Sequence, residues 1–118
     1  MAGPVVAPLM AGAITLAWTH SVEKIAWEED WRVGPAGLEL VEARVRGSGA
    51  GMEPPPEARF KDGLWSWRPN LPPQREIAMR RSGATADWRI CISGQCRPME
   101  AFVPAGADPI VMKVCEKP

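Results

Sequence analysis

The chain has 118 residues, enough to bury one core and too few for two ordinary domains. Fourteen Lys and Arg balance fourteen Asp and Glu, so the basic excess that drives nucleic-acid binding is missing. Thirteen prolines and eleven glycines are spread along the chain, which leaves little room for helices of ten or more residues.

Residues 1–19 carry no charge, but Gly3, Pro4, Pro8 and Gly12 interrupt them. The stretch lacks the basic start and continuous apolar run of a secretory signal, and the strong apolarity of a membrane span. Residues 1–12 are expected to be an unstructured or remnant apolar segment ahead of a single domain over 13–118. The missing signal leaves open a leader lying outside this sequence, a start upstream of Met1, or a cytoplasmic protein.

From residue 14 onward, period-two alternation dominates. In Ile14–Trp18, Ile14, Leu16 and Trp18 share a face. Over residues 24–33, Ile25, Trp27, Trp31 and Val33 oppose Lys24, Glu28, Asp30 and Arg32, and only Glu29 breaks the pattern. A helix that stacks Trp27 on Trp31 is the alternative there. In residues 37–47 the parity changes: Leu38 and Leu40 share one face, while Val41, Ala43 and Val45 share the other. A β-bulge near Leu40–Val41 would absorb that shift.

Residues 47–60, with three consecutive prolines, and residues 70–74 read as loops. Further strands are expected at 63–69, 75–81, 87–92 and 109–115. The fold class is therefore all-β, a small antiparallel sandwich or partly open barrel of about seven or eight short strands. Six tryptophans supply large apolar areas for its core. The densest basic run, Arg80-Arg81 with Arg75 nearby, reads as a solvated face.

Cys91 and Cys96 flank Ile92-Ser93-Gly94-Gln95. A two-residue turn at Ser93-Gly94 would set the cysteines opposite each other at a non-hydrogen-bonded site, within disulfide range. The alternative is a pair of reduced thiols. Cys115 is left over. Three Cys and one His are enough for a zinc site, but their spacing is not that of paired zinc knuckles, and no metal or cofactor is expected.

The remaining chemistry sits around the single histidine, in residues 19–31. His20, Ser21, Glu23, Lys24 and Glu28 form a candidate ligand-binding set at a bend between two strands. The competing reading is a bend fixed by hydrogen bonds of His20, with Glu23/Lys24 and Glu28/Arg32 as exposed ion pairs of little energetic value. A nucleophilic triad fails on geometry, because Ser21 and His20 are adjacent and point to opposite faces of a strand. Ser48 in Gly47–Gly51 is not in a nucleophile elbow, and no helix follows to make a phosphate loop. Gly47, Gly49 and Gly51 read as a structural loop. No catalytic residue is assigned, and the protein is expected not to be an enzyme.

Residues His20–Lys24 (HSVEK), Trp27–Trp31 (WEEDW), Gly47–Met52 (GSGAGM) and Trp65–Pro69 (WSWRP) together resemble the bacterial DUF1850 family over most of the chain. That resemblance implies a non-enzymatic domain. Members are often encoded beside the permease and solute-binding protein of TAXI-type tripartite ATP-independent periplasmic (TRAP) transporters, and usually begin with a hydrophobic export or anchor segment. The implied role is an accessory or binding component, periplasmic or extracellular, with the TRAP permease or solute-binding protein as partner. No transmembrane segment is expected in this chain. The alternative is a small metal-binding or metal-dependent hydrolytic domain built on His20, Glu23 and Glu28.

Overall fold

The computed structural model describes residues 12–19, 26–46, 55–81 and 87–115. Nine strands occupy them: β1 Ala13–Thr19, β2 Ala26–Gly34, β3 Gly37–Arg46, β4 Arg59–Lys61, β5 Leu64–Trp67, β6 Glu76–Met79, β7 Arg89–Ile92, β8 Gln95–Pro98 and β9 Ile110–Lys113. One 3₁₀ turn, Met99–Ala101, is the only helical element among them. Seven strands pair antiparallel in the order β4-β5-β3-β2-β1-β7-β8, and β6 with β9 forms a separate ribbon. The fold is all-β, as the alternation indicated, and takes the open, two-layered form with no barrel closure. Trp27 and Trp31 both lie in strand β2, so the helix that would stack them is not realised.

The two layers are unequal, and the ribbon covers part of one sheet face. Leu16, Trp31, Leu38 and Ile90 from the sheet pack with Met79 from the ribbon and Met99 from the 3₁₀ turn. Ile77, Ile110 and Met112 add the rest of the ribbon's inward side. Each position follows from strand parity: inward residues are apolar and their sequence neighbours face away.

β3 keeps two apolar sets inward by inserting one residue. Asp30 pairs with Glu42 but Trp31 pairs with Leu40, so Val41 is the extra residue of a bulge. Leu38 and Leu40 on one side of it, and Ala43 and Val45 on the other, then share the inner face. The expected bulge is therefore present at the expected place.

Two differences from the sequence reading concern the periphery. Arg59–Lys61 is a strand, although 47–60 reads as loop; residues Asp62 and Gly63 have φ of 54° and 77° and close it into a hairpin with β5. Arg81 is not solvated. Its side chain is 8% exposed and meets Asp87 at 2.8 and 3.0 Å, with the carbonyls of Pro104 and Ala107. Arg81 thereby pins residues 103–107 to the start of β7, while Arg80 beside it stays exposed and pairs with Asp108. The expectation for residues 1–12 lies outside the described residues, apart from Gly12. Its carbonyl accepts a 2.8 Å hydrogen bond from Val33 N–H.

The β2–β3 turn ends on Gly37, whose φ is +130°. Leu38 and Gln74 exchange two 2.8 Å backbone bonds there, and a Cβ on Gly37 would lie 2.6 Å from the Gln74 carbonyl oxygen. Strain and contact both penalise a side chain, so Gly37→Ala is expected to cost about 2 kcal/mol. Thermal unfolding followed by circular dichroism should show Tm lowered by roughly 10 °C.

Candidate functional site

The sheet face turned away from the ribbon is polar at its centre. β1 contributes Thr15, β2 contributes Glu28 and Asp30, and β3 contributes Glu42 and Arg44, all from positions that alternate with inward residues. The Arg44 guanidinium grips Asp30 through two bonds of 2.7 Å, and donates to Glu28 at 2.9 Å and Glu42 at 2.8 Å. Thr15 donates its hydroxyl to Asp30 at 2.7 Å. A fork of this shape satisfies a carboxylate in two places at once, which a lysine cannot do.

One cation here faces three carboxylates, and each group alters the others. The hydrogen bonds from Arg44 hold the Asp30 carboxyl below the usual carboxylate range, against the opposing effect of burial. Arg44 is held more firmly protonated by Asp30, with Glu42 and Glu28 adding to the effect. Asp30 is therefore an anion at neutral pH, with no proton to give and little affinity for one. Beside it lies an open groove of about 450 Å³ bordered by Thr15, Glu28, Asp30 and Arg44, with the Cys91–Cys96 pair along one wall. These groups can orient a polar ligand or a partner's side chains through fixed charges.

Cys91 and Cys96 form the expected disulfide, facing each other across the Ser93–Gly94 turn with Cα atoms 3.9 Å apart. Cys91 is also opposite Thr15, which places the bridge next to the charged cluster. Cys115 is a free, exposed thiol.

The inner face has a different chemistry. Phe60, Trp65, Val45, Trp27 and Trp18 are opposite one another in turn, making one cross-strand row over five strands. Trp18 and Trp27 stack at 6.0 Å, Trp18 meets Trp88 at 4.7 Å, and Trp27 meets Trp67 edge-on at 6.1 Å. Glu29, the residue that breaks the alternation, points into this face. Burial pushes its carboxyl upward, and a 3.1 Å hydrogen bond from Trp31 Nε1 opposes that in part. The indole nitrogens of Trp27 and Trp65 are buried and have no hydrogen-bond partner among the described residues.

Of the candidate ligand set, Glu28 falls in the described part, on the outer face against Arg44. His20, Ser21, Glu23 and Lys24 lie outside the described residues, as do Gly47, Gly49 and Gly51. Glu28 does not pair with Arg32; Arg32 bonds Glu39 at 2.8 Å instead. Residues four apart on a strand are two side-chain repeats apart along one face, whereas a cross-strand neighbour is adjacent. Thr15, Glu42 and Arg44 carry no local motif, and Asp30 lies within WEEDW, where it reads only as part of the strand's polar side. Their signal was parity alone: all are polar positions flanked by inward-facing residues. Among the described residues no group of three or more His, Cys, Asp and Glu is arranged to hold a metal ion.

Replacing Arg44 with Met leaves three carboxylates facing one another without their cation. The loss should be roughly 1–3 kcal/mol, less than for a deeply buried pair because side chains 34–42% exposed are partly screened by water. Asp30's contribution is present above its unfolded pKa of about 3.9 and is lost as pH falls through the lowered folded value. Urea unfolding of native and Arg44→Met proteins should thus differ fully at pH 7 and converge in strong acid. An equal difference at both pH values would contradict the clamp.

The family model for a domain of unknown function, DUF1850, matches residues 14–99. No curated protein and no solved structure matches the chain. The matched segment includes β1 from its second residue, β2 to β8, the charged cluster and both disulfide cysteines. The chain belongs to the DUF1850 family.

Proposed function

We propose that this domain is a non-enzymatic binding module. It works outside the cytoplasm as an accessory of a TAXI-type TRAP transporter and contacts the permease or the solute-binding protein. The observation that carries the non-catalytic part is the Arg44 cluster. The central carboxylate on the open face, Asp30, is kept ionised and tied to a guanidinium, which suits fixed-charge recognition and not proton transfer. The Cys91–Cys96 bridge supports an oxidising compartment. No helix among the described residues is long and apolar enough to cross a membrane.

The transporter link rests on family membership and on the setting in which members of this family are commonly encoded. His20, Ser21, Glu23 and Lys24 are proposed as further contact residues. A metal-dependent hydrolase is the weaker reading, because Glu28 already accepts the Arg44 Nε–H at 2.9 Å.

Immobilised domain should retain the TAXI solute-binding protein or the solubilised permease encoded in the same neighbourhood. His20→Ala, Glu23→Ala and Arg44→Met variants should each retain about tenfold less, the effect of losing one contact worth about 1.4 kcal/mol. Capture of neither protein at any salt concentration would remove the proposal.

A further inference from the structure

β4 is the outermost strand at one edge of the large sheet, and its three residues are all exposed. Arg59 stands opposite Ser66 and Lys61 opposite Leu64. On the far side of β5, Arg44 is opposite the same Ser66 and Arg46 opposite the same Leu64. Directly opposed residues share a face, so four cations form a two-by-two block on the outer face. Strand spacing sets the columns about 10 Å apart, and two residues of rise set the rows about 7 Å apart.

Arg44 is occupied by its three carboxylates. Arg46, Arg59 and Lys61 make no ion pair among the described residues. Asp62 in the adjoining turn and Glu57 two residues before Arg59 offset two of these three charges and leave the corner with one positive charge in excess. Between Arg59 and Lys61, Phe60 points to the other face, 56% exposed, with its ring 4.9 Å from Trp65. It is the solvent-facing end of the tryptophan row.

A sheet edge with unpaired cations on one side and an exposed aromatic on the other has the chemistry of a headgroup-zone anchor. Cations there are drawn to anionic lipid, and an exposed apolar ring such as Phe60 gains by burial at the headgroup–acyl boundary. An acidic peptide would satisfy the cations but leave Phe60 unused, so lipid accounts for more of the surface. We propose that the β4–β5 edge docks this domain on an anionic phospholipid surface through Arg46, Arg59, Lys61 and Phe60.

Cosedimentation of the full chain with protein-free vesicles tests this. Vesicles of phosphatidylglycerol and phosphatidylcholine should carry the protein down at low salt, and vesicles of phosphatidylcholine alone should not. High salt should release it. Each cation removed should lower the partition coefficient about fivefold, so Arg59→Ser with Lys61→Ser should lower it about 25-fold. Phe60→Ser should lower it severalfold. All three side chains are exposed, and an unchanged tryptophan emission spectrum will verify folding; the salt response of the native protein needs no variant. The proposal is overturned by native protein that stays in solution with anionic vesicles. Equal binding to both lipids, or a double variant that binds like the native chain, overturns it as well. Because the vesicles contain no protein, this result is independent of whether a transporter is the partner.

Discussion

One inserted residue in β3 governs which chemistry appears on which side of the sheet. Strand side chains alternate without exception, so a ten-residue strand can keep a single apolar face only if its pattern never shifts. The apolar pattern of β3 does shift. Val41 absorbs the change as a bulge, which keeps Leu38, Leu40, Ala43 and Val45 on the inner face together. The same insertion aims Glu42 and Arg44 outward beside Asp30. Without it, one of the two apolar sets would face water: Leu38 and Leu40, or else Ala43 and Val45, and in the second case the guanidinium would be buried against tryptophan.

Among the described residues, the inner face shows how a core forms under a second layer of two strands. The ribbon covers Leu16, Trp31, Leu38 and Ile90. Beyond it, Trp18, Trp27, Trp65 and Trp67 cover the sheet with their own rings; Val45, between Trp27 and Trp65 in the row, is 1% exposed. Each indole brings roughly 150–250 Å² of surface, so four of them can do locally what further strands would do elsewhere. Their cost is polar: indole N–H groups require acceptors, and Glu29 meets that need for Trp31. The carboxyl that violates the alternation is thus explained by the aromatic composition of the face it enters.

The features legible from sequence were those set by near neighbours. Alternation located most strands, the parity change located the bulge to within a residue, and Ser93-Gly94 between two cysteines located both a turn and a bridge. β4 escaped notice because three residues are too few to show a period, and the preceding prolines dominated the stretch. The Asp62-Gly63 pair was the available signal, since it is a preferred two-residue hairpin turn. Pairings across distance were not legible. Arg44 meets Asp30 and Glu28 from 14 and 16 positions away, and β6 meets β9 across more than thirty residues. Such contacts depend on strand order and register, which no local pattern encodes. Arg81 was misread for a related reason: its carboxylate is near in sequence, but the carbonyls that complete its burial come from residues 104 and 107.

The register of β2 against β3 is the most direct place to test this account. Cross-strand backbone NOEs on isotope-labelled protein should connect Asp30 with Glu42 and Trp31 with Leu40, with Val41 left unpaired between them. A continuous ladder that sets Trp31 opposite Val41 would contradict it, because Leu40 and Leu38 would then turn outward and the two faces would lose their separate chemistries.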